Sequence, residues 1–349
     1  MLTHDDIKNA LATVKYPGYS RDIVSFGLIK DISIASGAVT VLLQLTSPHP
    51  EAARQIQEDA ERVLKGLPGV NQVQVEVRPP AAGQGAASPF ANQKGIPGVK
   101  RVLAIASGKG GVGKSTCAVN LACALQKRGA KVGLLDCDIY GPSIPLMMGV
   151  RERPTVNADE RLVPPSNHGV KVMSIGLLVT DDQPVVWRGP MITKTIQQFL
   201  LAVEWGDLDF LLVDLPPGTG DAQLSLCQTV PLDGGVIIST PQEASLGVVR
   251  KGIAMFRKVN VPILGIVENM SYFTAPNGER LAIFGHGGAR EEAARQGAPF
   301  LGEVPLFTEI REGGDRGLPI VVSTPTHPAS QAFLHMAETL QSAFSNPAK

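Results

Sequence analysis

A glycine-rich segment with two lysines, SGKGGVGKST at residues 107–116, carries the clearest chemistry in this sequence. It follows an apolar strand pattern, opens a helical one, and matches the phosphate-loop pattern G-x-x-x-x-G-K-[ST] from Gly108 to Ser115. Glycines there let backbone N–H groups face phosphate oxygens at the positive end of a helix. In such a loop Lys114 neutralises β- and γ-phosphate charge, Ser115 is a Mg²⁺ ligand, and Thr116 hydrogen-bonds the α-phosphate. The segment therefore predicts a nucleotide site.

Two other segments place acids directly after apolar strand patterns. LLVDLPPGTGD ends its strand at Asp214, the type of acid that holds Mg²⁺, often through a water. LLDCDIYGPS carries Asp136 and Asp138, which strand alternation places on opposite faces. We expect one of these two to support the Mg²⁺ region and the other to orient the attacking water. Solvated acids at a strand end are the alternative that the sequence leaves open.

The leading lysine of the loop, Lys109, needs a separate explanation. It lies five residues before Lys114, and the backbone N–H groups already occupy the concave side of the loop. We expect its ammonium to reach a phosphate bound by a second copy of the protein, as an arginine finger does. A solvated loop lysine remains the alternative.

These residues need a scaffold, and the pattern from Val99 onward predicts one. Apolar strand segments alternate there with helical segments, which is typical of a doubly wound, mostly parallel α/β sheet. Ligands bind at the carboxyl ends of the strands in such sheets. Residues 1–78 instead follow the order α-β-β-α-β of a small α+β domain. Residues 79–98, rich in Pro, Gly, Ala and Ser, predict a flexible linker to an ATPase domain at 99–349.

Composition restricts the partners and the compartment. The chain has 32 basic and 32 acidic residues, so no charge excess favours nucleic acid or an anionic membrane. It has neither a signal-peptide pattern at its start nor an apolar run long enough to span a bilayer. No C-x-x-C pair occurs among the four cysteines, which favours buried thiols in a reducing cytoplasm. We therefore expect a cytoplasmic protein that binds neither nucleic acid nor membrane. The cysteines are Cys117, Cys123, Cys137 and Cys227.

Seven segments, in order, resemble the Mrp family of iron–sulfur carrier ATPases, which have the deviant phosphate loop of MinD/ParA-type ATPases. They are KGGVGKST, DCDIYGPSIP, WRGPM, LLVDLPPGTGD, TPQEASLGVVRKGIAMF, VPILGIVENMSYF and IREGGDRGLPIVV. The likeness covers nearly all of 99–349, and YPGYSRDIVSFGLIKDISI resembles the iron–sulfur assembly domain that precedes many Mrp ATPases. The resemblance implies a P-loop NTPase fold and slow ATP hydrolysis. It also implies a homodimer that delivers iron–sulfur clusters to apoproteins or works with assembly factors.

The resemblance also implies residue roles. It assigns Lys109 to the partner's nucleotide, Asp138 to the attacking water and Asp214 to the Mg²⁺ region. Asn269, in ENMS, matches the position that recognises adenine, so ATP is expected rather than GTP; a strand-end hydrogen bond is the alternative. Arg188, in WRGPM, is expected near phosphate or the dimer interface, or else is a structural surface arginine. The residues assigned to ATP in the loop are Gly108, Lys109, Gly110, Gly111, Val112, Gly113, Lys114, Ser115 and Thr116.

The sequence departs from the family at the cluster ligands. Family members that carry a 4Fe–4S cluster usually have C-x-x-C shortly after ENMSYF, but Ala275 stands at the first position here and no cysteine follows Cys227. His286 and Asn277 lie nearby in the sequence. Two functions therefore stay open: a carrier with unusual ligands, and a dimeric switch that assists assembly without holding a cluster. A positioning ATPase of the MinD/ParA kind is a third, disfavoured by zero net charge and a weakly amphipathic C-terminus.

Overall fold

The chain divides into two units, residues 1–92 and 93–349. The computed structural model leaves most of the predicted linker, and Arg188, outside its described residues, so the boundaries at 78 and 99 stay predictions. The residues described are 3–15, 22–24, 27–35, 37–45, 50–78, 95–179, 189–218, 223, 227 and 229–345.

The N-terminal unit has the predicted order α-β-β-α-β. Its central strand, β2, pairs antiparallel with β1 and parallel with β3. α1 begins with a capping box in which Thr3 and Asp6 satisfy each other's backbone N–H groups. Alternate side chains of β2 are buried, so the apolar faces of both helices and the sheet share one core. The elements are α1 His4–Leu11, β1 Ile29–Ala35, β2 Ala38–Gln44, α2 Pro50–Lys65 and β3 Gln72–Arg78.

A nine-stranded sheet organises the described part of the second unit. Its main path runs β13-β12-β11-β4-β10-β5-β9-β8, and β14 pairs with β12. All pairings are parallel except those of β8 with β9 and β13 with β12, which confirms the predicted doubly wound, mostly parallel architecture. The strands are β4 Val99–Ser107, β5 Val132–Asp136, β8 Ser166–Asn167, β9 Val170–Ser174, β10 Leu208–Asp214, β11 Gly234–Ser239, β12 Ile263–Thr274, β13 Arg280–Leu281 and β14 Phe300–Leu306; β6 Thr155–Val156 and β7 Leu162–Val163 form a separate ribbon.

Helices cover this sheet, and the most buried of them leads away from the phosphate loop. α3 is apolar on nearly all sides and packs between the sheet and α10, which buries Phe333, Met336 and Leu340 against it. No helix in the described ranges is both long and apolar enough to cross a membrane. The helices are α3 Lys114–Lys127, α4 Ile144–Met147, α5 Gly189–Leu201, α6 Glu243–Lys258, α7 Gly288–Arg295, α8 Thr308–Asp315, α9 Ile320–Ser323 and α10 Pro328–Ser345.

Strand order brings the predicted acids to the phosphate loop. β10 lies between β4 and β5, and Asp214 pairs in register with Ile105 on one side and Asp136 on the other. The chain leaves β4 toward β5 and later reaches β11 on the opposite side of β4, so the strand order reverses there. Such a switch point opens a crevice at the carboxyl ends of the strands.

Candidate functional site

The phosphate loop connects the end of β4 at Ser107 to the start of α3 at Lys114. Gly111 and Gly113 have φ of 78°, a left-handed conformation that side chains beyond glycine rarely adopt. A Cβ on Gly113 would also overlap the amide of Asn269, and one on Gly108 would crowd Val248. The glycines are therefore required both by the backbone conformation and by the close approach of neighbouring elements.

Three side chains meet at the start of α3. The Nζ of Lys114 lies 2.7 Å from Oδ2 of Asp214, and the hydroxyl of Ser115 donates to the same oxygen at 2.6 Å. The lysine and aspartate side chains are 7% and 0% exposed. The other oxygen of Asp214, Oδ1, is buried and has no hydrogen-bond partner in the described parts of the chain. A buried carboxylate oxygen without a hydrogen-bond partner and a neighbouring hydroxyl oxygen are suitable ligands for a hard cation such as Mg²⁺.

Asp136 and Asp138 have different surroundings. Asp136 is buried and accepts hydrogen bonds from the Asp138 and Ile144 amides and the Ser174 hydroxyl, at 3.0, 3.3 and 3.0 Å. Burial, reinforced by the charge of Asp214, raises the pKa of Asp136 to about 7. Asp138 is half-buried and faces the phosphate-loop cavity. Asp136 therefore shapes the turn after β5, whereas Asp138 is the acid in a position to meet a water in the cavity.

Burial also dominates the ionisation of Asp214. It raises the pKa of this carboxyl, and the neighbouring Lys114 ammonium and the Ser115 hydroxyl act against the rise. A cation at this point therefore favours the charged form, whether that cation is the lysine ammonium or a metal ion.

Two adjoining cavities lie along the loop. One of about 190 Å³ is lined by Lys109 to Thr116 together with Asp138 and Ser143. The other, of about 340 Å³, has mainly apolar walls. Both are lined by Gly113, Thr116 and Met147. A polar compartment next to an apolar one suits phosphates joined to a purine. The apolar walls include Leu146, Met147, Pro305, Leu306, Phe307, Ile310 and Phe333.

Sequence reasoning missed the segment from Pro305 to Asp315, which lines the second cavity. The family resemblance included part of this segment, as IREGGDRGLPIVV, but gave no residue in it a role. In the sequence, apolar side chains that follow a strand look like ordinary core residues. In the structure, the pairing of β14 with β12 brings these side chains to the phosphate loop.

Asn269 lies between the cavities and the loop. Its Nδ2 donates to the carbonyl of Val112 at 2.8 Å, and the side chain is buried. The structural alternative considered from the sequence, a hydrogen bond, is thus present, but Asn269 lies inside β12 rather than at the end of a strand. Because Asn269 also lines the apolar cavity, its contact with adenine stays a prediction.

Lys109 does not extend into solvent. Its Nζ donates to Oε1 of Gln242 at 3.0 Å, within the same protomer, and both side chains are half-buried. Sequence reasoning missed Gln242, which lies 133 residues away at the start of α6. The role of Lys109 at a partner's nucleotide stays a prediction, as do the other nucleotide and Mg²⁺ contacts.

All four cysteines belong to the described residues, and all are buried outside disulfides. Burial raises the pKa of Cys117 and Cys123 to about 12 and that of Cys227 to about 11. The pKa of Cys137 is raised well above its usual range by burial and by the charge of Asp136. Since thiolates are the form that ligates iron, these positions do not fit a cluster. The predicted burial of the cysteines is confirmed.

The region that would carry the family's C-x-x-C forms a short turn between β12 and β13. The amides of Ala275 and Gly278 bond within the turn, to Glu279 and Ala275. Asn277 accepts from the Glu279 amide at 3.0 Å, so this side chain closes the turn. His286 lies 3.1 Å from Glu303 Oε2. Local hydrogen bonding therefore accounts for both polar residues that were noted beside the missing cysteines.

One group with a metal-compatible spacing occurs in the described ranges: Glu268, His286 and Glu303. Both oxygens of Glu268 already accept amides, those of Gly287 at 2.8 Å and Ala289 at 2.7 Å. These bonds cap the start of α7, where such N–H groups lack partners in the helix. Helix capping and the His286–Glu303 bond explain the cluster, and we assign it no metal.

Comparison with known proteins agrees with this geometry. The family model described as NUBPL iron-transfer P-loop NTPase matches residues 98–341, and that described as iron-sulfur cluster assembly protein matches 4–77. An iron-sulfur cluster carrier protein of Synechocystis is 46% identical, with 97% of each chain covered. A nucleotide-binding protein of Archaeoglobus fulgidus, solved with ADP, is 43% identical, with a TM-score of 0.56 over 63% of this chain and 87% of that one. The MinD ATPase of Pyrococcus furiosus, 24% identical, shares the fold, with a TM-score of 0.53 over 69% of this chain and 98% of that one.

Proposed function

The chain belongs to the iron–sulfur cluster carrier family of P-loop NTPases, and from that premise we propose that it binds and slowly hydrolyses ATP as a homodimer in the delivery of clusters to apoproteins. One observation carries the nucleotide part of this proposal. It is the buried Lys114–Ser115–Asp214 group, whose lysine and serine line the polar cavity beside an apolar one large enough for a base.

Nucleotide binding would exchange the partners of this group. The β- and γ-phosphates attract Lys114 away from Asp214, while the loop N–H groups accommodate the remaining oxygens. Asp214 and Ser115 then have oxygen atoms available to hold Mg²⁺, directly or through water. When bound, Mg²⁺ offsets the charge that develops on the phosphates during transfer. The apolar cavity holds the base, with Asn269 at its edge.

Hydrolysis and dimerisation would use two further residues that line the polar cavity, Asp138 and Lys109. Asp138 orients the attacking water, a role supported by its half-buried side chain at the wall of the polar cavity. Lys109 crosses to the nucleotide of the second protomer, where its charge compensates the triphosphate as an arginine finger does. Exposed apolar side chains near the cavities, Tyr140 at 72% and Leu146 at 60% exposure, would be covered in the dimer.

Two forms of this function differ in whether the protein itself holds the iron–sulfur cluster, which is its cargo. A carrier needs accessible thiolates, or other ligands in their place. The burial of all four thiols favours the second form, an ATP-dependent switch that assists assembly without holding the cluster through cysteine. In that form the N-terminal domain, which matches an iron–sulfur assembly model, is the docking module for the partner.

Sedimentation with ATP, ADP and no nucleotide tests the dimer. We expect dimers with ATP for the wild type and for Asp138→Asn, which should retain ATP but hydrolyse it at least about tenfold more slowly. Lys109→Ala should bind ATP and remain monomeric, whereas Lys114→Ala should not bind it. A wild type that stays monomeric under saturating ATP and Mg²⁺ would refute the proposal.

Anaerobic reconstitution with iron and sulfide separates the two forms. We expect no stable absorbance from iron–sulfur charge transfer, in the wild type or in a variant with all four cysteines replaced by alanine or serine. A cluster that is retained by the wild type and lost in that variant would establish the carrier form.

A further inference from the structure

Gln242 holds the leading lysine of the phosphate loop inside its own protomer. This glutamine is the residue directly before α6, a position where Ser, Thr, Asp or Asn usually accepts a helix N–H. The Gln242 side chain makes no such capping bond. Its Oε1 instead accepts the Lys109 ammonium at 3.0 Å. The first turn of α6 is therefore left without its usual side-chain cap while the glutamine contacts the loop.

Packing fixes the distance between these two partners. A Cβ on Gly108 would lie 2.6 Å from Cβ of Val248, so the loop and the first turns of α6 are in direct contact. The carbonyl of Lys109 accepts the hydroxyl of Ser107 at 3.0 Å, which fixes the backbone from which the lysine extends. Tight packing of the loop backbone against α6 therefore places Gln242 within reach of Lys109.

A salt-bridge pair holds α6 in the same place. Arg250 contacts Glu243 in the first turn at 2.6 Å and the buried Glu292 of α7 at 2.9 Å. The second contact is to a side chain that is 1% exposed, where screening by solvent is weak. The contact with Glu292 ties α6 to α7, so the start of α6, where Gln242 lies, has a link to the rest of the unit that does not involve Lys109.

We propose that Gln242 is a positioning residue that retains Lys109 in the nucleotide-free protomer and releases it when two protomers close over ATP. The inference rests on the proposed function, because release needs a second copy with a bound triphosphate. A neutral amide oxygen is a weaker acceptor for an ammonium than a phosphate oxygen, which carries charge. The lysine is therefore held in one place without ion pairing and exchanges when the partner's triphosphate arrives.

Lysine acetylation of the nucleotide-free monomer tests the retention directly. Loss of one hydrogen bond to the ammonium should raise the acetylation rate of Lys109 about fivefold in Gln242→Ala, relative to the exposed Lys251 in the same digest. Gln198→Ala, the same change at an exposed glutamine of α5, is the matched control and should leave the rate unchanged. An unchanged Lys109 rate in Gln242→Ala would overturn the retention, whatever the oligomeric state.

Dimerisation with ATP tests the release. Gln242→Ala should tighten the ATP-dependent dimer by about fivefold for each lysine released, and Gln242→Glu should weaken it by about threefold because the lysine then leaves an ion pair. The two shifts should be opposite in sign and should follow the Lys109 acetylation rates of the same two variants, which a merely structural role of Gln242 would not predict.

Two results would contradict the release. One is a weaker dimer in Gln242→Ala; the other is a shift of dimer affinity in the same direction in Gln242→Ala and Gln242→Glu. If the wild type forms no dimer with ATP, the proposed function and the release fail together, while the acetylation result still decides the retention.

Discussion

Replacing Lys114 by methionine in the nucleotide-free protein should lower the free energy of unfolding of the unit at residues 93–349 by about 3–5 kcal/mol. The lysine ammonium lies 2.7 Å from Asp214, and the two side chains are 7% and 0% exposed. Methionine fills a similar volume but leaves the carboxylate buried, with the Ser115 hydroxyl as its remaining side-chain partner. The loss therefore comes from an uncompensated buried charge rather than from packing.

Removing both charges should restore most of the stability. The double variant Lys114→Met with Asp214→Asn is expected within about 1 kcal/mol of the wild type, because the desolvation penalties disappear together with the attraction. Asp214→Asn alone leaves an ammonium beside the cavity of about 190 Å³, which gives water access to it, so a smaller loss is expected. The coupling energy in this cycle, the sum of the two single losses minus the loss in the double variant, should therefore exceed about 2 kcal/mol.

The pH dependence of the single variant has a defined sign. Burial already raises the pKa of Asp214, and without Lys114 the charge that opposes this rise is missing. Between the ordinary aspartate pKa, about 4, and the raised folded value, the folded variant retains a proton that the unfolded chain has released. Stability therefore decreases as pH rises through this window, and the loss caused by Lys114→Met should be smaller at pH 5 than at pH 8.

Urea unfolding followed by tryptophan fluorescence measures this cycle. Both tryptophans of the chain, Trp187 and Trp205, belong to residues 93–349, so the signal reports this unit and not the N-terminal one. Lys127→Met, at the exposed end of the same helix, is the matched control and should change stability by less than about 1 kcal/mol. A double variant that loses as much as the sum of the single variants would refute the buried-pair reasoning.

Three further predictions concern the loop and the thiols. Asn269→Ala should weaken ATP binding about tenfold in calorimetry, since it removes the bond to the Val112 carbonyl and part of the wall of the apolar cavity; unchanged affinity would argue against a role of Asn269 in binding. Gly113→Ala should weaken ATP binding more than tenfold and destabilise the unit by about 1–3 kcal/mol, because the methyl group overlaps the Asn269 amide at a φ of 78°. Gly252→Ala, in open space on α6, is its control and should be neutral or slightly stabilising. The four thiols should not react with a thiol reagent within minutes in the native state and should all react in urea, whereas one fast native thiol would contradict their burial.

Much of the candidate site could be predicted because its residues are marked by type and spacing within short segments of the sequence. The spacing from Gly108 to Ser115 requires a strand before it and a helix after it, and both are present as β4 and α3. Asp138 and Asp214 were selected from the sequence because each comes with an apolar strand pattern; Asp214 is the last residue of β10, and Asp138 follows the end of β5 by two residues. Periodicity reports how side chains alternate along one element, so it identifies elements and their ends reliably.

The contacts between these residues could not be predicted, because they depend on strand order and on packing between elements that are distant in the sequence. Pairing of β10 between β4 and β5 places Asp214 against Lys114, and pairing of β9 with β5 brings the Ser174 hydroxyl to Asp136. Packing of α6 on the loop brings Gln242 to Lys109.

The sequence by itself determined the fold class, the phosphate loop and the absence of the family's cysteine pair, since these depend on residue type and local spacing. Only the tertiary structure decided which partners those residues have and that the thiols are inaccessible. The physical reason is that the partners and the burial of a residue are set by neighbours about a hundred residues away, such as Asp214 for Ser115, and the hydrophobic periodicity of a single element holds no information about them.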